Sequence, residues 1–233
     1  KHNLVDHVIF SPRVNVRFNP SEAVNLRVSY AGGYRAPQAF DEDMHIAIVG
    51  GKRVRIRLAD DLREERSHSV SLSADLYHTF GKVQTNLLVE GFYTILDDVF
   101  ALRDMDDAAD GGKVKERYNG SGATVRGFNV EGRAAFTRWF ELQAGVTLQQ
   151  SRYKEPEFWS EDAEVPPVRR MFRTPDAYGY FTASFKPVRN FTADLSGTCT
   201  GSMLVQHMAG SGVGQDVAVS TPSFFDMNIR LSY

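Results

Sequence analysis

Between residues 66 and 79 the chain reads Arg66-Ser67-His68-Ser69-Val70-Ser71-Leu72-Ser73-Ala74-Asp75-Leu76-Tyr77-His78-Thr79. Val70, Leu72, Ala74 and Leu76 fall on one phase, and Ser69, Ser71, Ser73 and Asp75 on the other. Successive side chains of a strand point to opposite faces, so this period of two specifies a strand with one apolar and one polar face. No 3.6-residue apolar stripe can be drawn through it. The run is also long. Globular strands average about 5–6 residues, whereas a tilted membrane-crossing strand needs roughly 9–11.

Working outward, the same alternation gives nine strands, at about 8–19, 24–30, 66–79, 83–97, 123–137, 140–153, 177–186, 190–200 and from Phe225 to Tyr233. Their connections are short, long, short, long. The short ones are Asn19-Pro20-Ser21-Glu22, Gly81-Lys82, Thr137-Arg138-Trp139 and Lys186-Pro187-Val188. The long ones carry Asp41-Glu42-Asp43, then Asp104-Met105-Asp106-Asp107, then Glu155-Pro156 to Pro166-Pro167, and finally a Gly- and Ser-rich stretch. Tight turns at one end and elaborate loops at the other are the plan of an outer-membrane barrel. The fold class expected is therefore all-β: a segment of about nine strands from an antiparallel, up-and-down transmembrane β-barrel.

The bulk numbers agree. A formal charge of −2 over 233 residues carries no nucleic-acid footprint. Mean hydropathy is slightly polar, at −0.33. No apolar run approaches the roughly 20 residues of a membrane helix. A barrel hides its membrane character from such averages, because every second residue faces away from lipid. The one cysteine, Cys199, excludes an internal disulfide and falls on an apolar phase with Ala193, Leu195 and Gly197, where it reads as a small hydrophobe. Lys1-His2-Asn3-Leu4 is not a signal peptide, so the chain is expected to be mature or cut from something longer.

The polar phases hold Arg13, Arg17, Arg27, Asp75, Glu90, Glu131, Arg133, Glu141, Asp194 and Arg230. In a wide barrel these line a wet lumen; in a soluble sandwich they would be a solvated exterior. Aromatic residues near strand ends, among them Tyr30, Phe80, Phe136, Trp139, Phe140 and Phe224, fit interfacial girdles and would equally fill a core. Bacterial barrels put short turns in the periplasm. The first strand then runs inward, as the even-numbered strands of such a barrel do, and so does the ninth. An odd count does not close an ordinary antiparallel barrel. Strands are therefore expected before Lys1, and the isolated sheet, with two raw edges and a broad apolar face, is expected to need detergent, a partner copy or the rest of its barrel.

Two stretches carry a family resemblance: Ser11-Pro12-Arg13-Val14-Asn15-Val16-Arg17-Phe18, and Tyr30-Ala31-Gly32-Gly33-Tyr34-Arg35-Ala36-Pro37. Together they resemble the barrel of TonB-dependent outer-membrane receptors, in which an "SPR-x-N" strand precedes one ending in "G-[FY]-R-A-P". Glu64-Glu65-Arg66-Ser67-His68-Ser69 and Gly127-Phe128-Asn129-Val130-Glu131 fit later strand starts, and the style resembles receptors of Bacteroides-type bacteria. The resemblance implies a location in the bacterial outer membrane and a full barrel of about 22 strands with an N-terminal plug that contacts TonB. It implies a scarce, large ligand: a ferric siderophore, haem, cobalamin or a glycan. Residues 1–233 are then expected to be one partial barrel from the C-terminal half, placed at about strands 12 to 20, with the plug and the last strands outside it.

On this reading Arg35 faces an anionic ligand from the lumen wall or, more ordinarily, pairs with a neighbouring strand. The ligand-binding candidates are Tyr34, Arg35, Phe40, His45, Arg53 and Arg55, with Arg57 beside them, because guanidinium forks suit a ferric catecholate or a haem propionate. The alternative for that loop is a solvated segment without a ligand. His45, His68, His78 and His207 lack metal-ligand spacing, and no catalytic triad order or Gly-rich phosphate loop is present, so neither an enzyme nor a resident cofactor is expected. The partners expected are the TonB complex through the plug, a nutrient (an iron complex foremost) and outer-membrane lipid and lipopolysaccharide. The competing readings are a passive porin-like or structural barrel without a plug, and a soluble lipocalin-type binder.

Overall fold

A computed structural model describes residues 7–37, 54–105, 113–160, 162, 164–209 and 213–233. In chain order the strands are β1 (Arg13–Ser21), β2 (Val24–Arg35), β3 (Val54–Leu58), β4 (Glu65–Phe80), β5 (Val83–Asp97), β6 (Phe100–Met105), β7 (Lys113–Asn119) and β8 (Ala123–Thr137). There follow β9 (Phe140–Glu157), β10 (Val168–Arg170), β11 (Ala177–Val188), β12 (Phe191–Thr200), β13 (Leu204–His207), β14 (Val217–Ser220) and β15 (Phe224–Ser232). Nine of them form one antiparallel sheet in the order β1-β2-β4-β5-β8-β9-β11-β12-β15, with β10 attached to β9. Sequence neighbours are spatial neighbours throughout this path, so the sheet is up-and-down, and its path ends at β1 and β15 without closing.

Directly opposed residues share a face of an antiparallel pair, so the registers show how the two phases join. Val28 opposes Leu72, Leu76 opposes Leu87, Val89 opposes Val130, Val130 opposes Val146, and Leu195 opposes Ile229. One uninterrupted apolar face thus crosses all nine strands. Val16, Leu72, Phe128, Leu148 and Ile229 stand more than half exposed on it. Among the described residues no leucine, isoleucine, valine, methionine or aromatic side chain is fully buried. Among the described residues the buried hydrophobic ones are Ala59 and Ala123, so these residues give the sheet no hydrophobic core and its apolar face stands open. At the short-turn end of this face Phe136 stacks on Phe140 at 5.4 Å and Trp139 meets Phe185 edge-on at 5.2 Å.

The opposite face is a polar ladder. Arg133 Nε donates to Glu141 at 2.6 Å, Thr147 Oγ1 to Asn129 at 2.8 Å, and Ser184 Oγ to Asp194 at 2.6 Å. Gln143 Nε2 donates to Glu131 at 2.7 Å and to the Tyr180 hydroxyl at 3.1 Å. Glycines make room for rings here. A Cβ on Gly145 would stand 2.7 Å from Tyr180 Cε1, and one on Gly127 would stand 2.8 Å from Phe92 Cζ.

Three features depart from the sequence expectations. The first strand starts at Arg13 rather than near residue 8. Two proline-marked turns come later than expected: β1 runs through Pro20 to Ser21, and β11 through Pro187 to Val188, each with a register shift beside the proline. Proline cannot donate to the ladder, and a bulge absorbs it before the chain turns. The long connections also contain strands. β3 pairs in parallel with β7, which pairs with β6, so the first two long connections meet in a separate three-stranded sheet. The third adds β10 to β9, and the fourth forms the β13–β14 hairpin.

Candidate functional site

The site is built where the polar face meets the long connections. Arg35, at the end of β2, lies on the polar phase with Ser29, Ala31 and Gly33. Its Nη1 is 3.7 Å from Glu65 Oε2, across the β2–β4 pair. Glu65 Oε1 accepts the backbone N–H of Phe100 at 2.6 Å, which ties the start of β6 to the rim of the main sheet. The Phe100 ring lies 5.7 Å from the Arg35 guanidinium and 5.9 Å from that of Arg117. Arg117 is buried at 1% exposure, while Arg35 retains 45% of its side-chain surface. The outer sheet is pinned by charge: Glu116 holds the Arg103 guanidinium of β6 on one side, with Arg57 Nε of β3 at 3.9 Å on the other. The Arg103 guanidinium also lies 4.9 Å from the Tyr118 ring centre.

Two groups of carboxylates behave in opposite ways. Glu64 is 4% exposed, and burial alone would raise its pKa. Hydrogen bonds from Arg66 Nε (3.0 Å) and Nη2 (2.6 Å), with His7 Nε2 at 3.3 Å, outweigh that and hold the carboxyl below its ordinary value. Glu157, at the far end of β9, has its pKa pushed up by burial. Tyr153 and Tyr118 are raised by burial and by the nearby Glu157 charge. Below the rim, the polar face holds a cleft of about 390 Å³ lined by Ser69, Ser71, Glu90, Phe92, Asn129 and Tyr178.

Among the sequence candidates, Arg35 reaches this site and forms the cross-strand ion pair that was the plainer of its two expectations. Arg55 stands exposed in β3, two residues before Arg57. Tyr34 opposes Arg66 on the apolar phase, on the other side of the strand from Arg35. Phe40, His45 and Arg53 lie outside the described residues. Phe100, Arg103, Arg117, Tyr118, Tyr153 and Glu157 were not singled out in the sequence. No clean period marks them, because Phe100-Ala101-Leu102 is continuously apolar and Lys115-Glu116-Arg117 continuously charged; the only strand signal is the β-favouring aromatic residues Phe100 and Tyr118 inside what reads as loop. Among the described residues no group of three or more His, Cys, Asp and Glu is placed to hold a metal ion.

An open sheet with a continuous apolar outer face, a polar inner face and elaborate connections at one end is a piece of a large outer-membrane barrel. The family model described as "TonB dependent receptor-like, beta-barrel" matches residues 4–233. The chain belongs to the TonB-dependent receptor β-barrel family, whose members sit in the bacterial outer membrane and are transporters rather than enzymes. A ferric enterobactin receptor of Pseudomonas aeruginosa is similar, with 15% identity and a TM-score of 0.64 over 96% of this chain and 32% of that one. The FrpB iron transporter of Neisseria meningitidis matches with 15% identity and a TM-score of 0.61 over 95% and 31%. The copper transporter OprC matches with 11% identity and a TM-score of 0.60 over 96% and 31%. At these identities the likeness shows the fold, and the chain spans about a third of the length of those receptors. Compared with curated protein sequences, the chain finds no match.

Proposed function

We propose that this chain supplies wall, lumen lining and outer loops to a receptor that takes up an iron complex, a ferric siderophore or haem. Uptake would be energised by the TonB complex acting on a plug domain that this stretch does not include. The chain would be one partial barrel domain from the C-terminal half of that receptor. The single observation that carries the ligand class is the rim: exposed Arg35 and Arg103, each over an aromatic ring, where the outer connections meet the lumen face. Guanidinium groups bind anionic oxygens and stack on rings, which suits a negatively charged, aromatic metal complex such as a ferric catecholate. Two of the similar structures carry "ferric enterobactin receptor" and "iron transporter" in their names, which supports the same class.

The test is uptake of labelled iron from a ferric catecholate by cells making the whole receptor, with and without collapse of the proton gradient. Gradient-dependent uptake that weakens about tenfold in apparent affinity in an Arg35→Ala, Arg103→Ala double variant is the expected result. Gradient-independent leak of iron and of unrelated solutes would replace this reading with a passive channel.

A further inference from the structure

Asn119 ties together three segments that are far apart in sequence. Its Oδ1 accepts the backbone N–H of Arg63 at 2.8 Å, and its Nδ2 donates to the Arg63 carbonyl at 3.0 Å. The side-chain amide thus pairs with both backbone groups of Arg63, as a neighbouring strand would. The same Nδ2 donates to the Asp98 carbonyl at 2.7 Å. Beside it, Gly120 N donates to Val99 O at 2.7 Å, and Arg63 Nη2 donates to Asp98 Oδ1 at 3.0 Å. Asp98 holds φ at +55°, an uncommon state for a residue with a side chain. This clasp closes the base of the outer sheet: β3 leads towards Arg63, β6 starts just after Val99, and β7 ends at Asn119.

The residue that makes the clasp is also the most reactive asparagine of the chain. An asparagine loses its amide when the next backbone nitrogen attacks its Cγ, and a side chain on that next residue hinders the attack. Eight of the nine asparagines precede Leu, Val, Ile, Phe or Pro, and Asn119 alone precedes a glycine. In the clasp both reactants are occupied: the amide is held by Arg63 and Asp98, and Gly120 N–H by Val99 O. Neither space nor backbone conformation calls for a glycine at position 120. A Cβ there would stand 3.4 Å from Ala101 Cβ and from Val99 O, an ordinary contact, and its φ is not among the positive ones.

We propose that Asn119 is a deamidation site, protected by the clasp while the outer sheet is docked, and that its reaction prevents the sheet from docking again. When the base of the sheet opens, Gly120 N bonds to Asn119 Cγ, its proton passes through water to the departing amide nitrogen, and ammonia leaves. Water then opens the five-membered imide at either carbonyl and gives aspartate or isoaspartate; no oxidant, reductant or cofactor takes part. The new carboxylate has no donor for the Arg63 and Asp98 carbonyls and sets a negative charge against them. Phe100, Arg103 and Arg117 travel with β6 and β7, so the rim beside Arg35 loses its arrangement in one direction only. The proposal is independent of the nutrient taken up.

The test ages the whole receptor, purified in nonionic detergent, in warm and mildly alkaline buffer. Peptide mass spectrometry follows each asparagine, and enzymatic methylation counts isoaspartate. Conversion is expected to concentrate at Asn119 and to run at least about tenfold slower in the folded receptor than in the same chain unfolded in urea, because only the open fraction reacts. Gly120→Ala keeps the clasp and is expected to slow the conversion severalfold in urea. The converted fraction, separated by its extra negative charge, is expected to take up deuterium faster in β3, β6 and β7 while β5 and β8 are unchanged, and Asn119→Asp to do the same. Equal rates in the folded and unfolded chains overturn the protection. No conversion in the folded receptor over many lifetimes of the unfolded chain's amide overturns the site. A converted fraction whose outer sheet exchanges like that of the unaltered receptor overturns the release, and this arm needs no variant to fold.

Discussion

Glu64 shows how one residue sets the stability of the outer rim. Its pKa is depressed in the folded state, so its contribution is fully present above its unfolded value, about 4.3, and is lost as pH falls through the lower folded value. Rim residues near His7 and Arg66 are expected to exchange amide hydrogen faster below that pH, and a Glu64→Gln variant is expected to remove the pH dependence. Because Arg66 is half exposed, the loss in that variant is expected to be modest, about 1 kcal/mol. Hydrogen exchange that is flat across the acid range in the unaltered chain would contradict this. Gly145 is a second such residue. Any Cβ meets the Tyr180 ring, so Gly145→Val is expected to cost about 1–3 kcal/mol in a denaturant titration of the folded protein, and Tyr180→Ala in the same chain to recover part of it.

At the scale of the element, the three-stranded outer sheet and the main sheet are held by different physics. The main sheet has strands of 15, 15 and 18 residues at β5, β8 and β9, each paired on both sides. The outer sheet has strands of 5, 6 and 7 residues, and Glu116 is the charge between Arg57 and Arg103. Glu116→Ala leaves two guanidinium groups without their shared carboxylate. Deuterium uptake is expected to rise in β3, β6 and β7 while β5, β8 and β9 keep their protection; uniform loosening of both sheets would show instead that they fold as one unit.

At the scale of the whole molecule, the two faces face different solvents, and neighbouring residues test this. Val130 and Asn129 are adjacent on β8 and on opposite faces. Val130→Arg places a charge in the hydrocarbon layer and is expected to destabilise the folded barrel by roughly 2–4 kcal/mol. Asn129→Arg points into the wet lumen and loses only the hydrogen bond from Thr147, about 1 kcal/mol. Denaturant titration in lipid vesicles reads both; equal costs would mean that the apolar face does not meet lipid.

The sequence alone determined the strand faces and the up-and-down order. Alternation such as Val70-Ser71-Leu72-Ser73 is a local property, and short turns such as Gly81-Lys82 force adjacent strands to pair. It also marked Arg35 as a residue of the rim. Tertiary structure alone decided that β3 would lie parallel to β7, a pairing between segments more than fifty residues apart that no local period encodes. It decided, too, that Phe100, Arg103 and Arg117 would gather beside Arg35, because contacts across separate connections depend on how the sheet brings its rims together. Strand faces follow from the covalent period of the backbone, whereas the site follows from which long connections end up side by side.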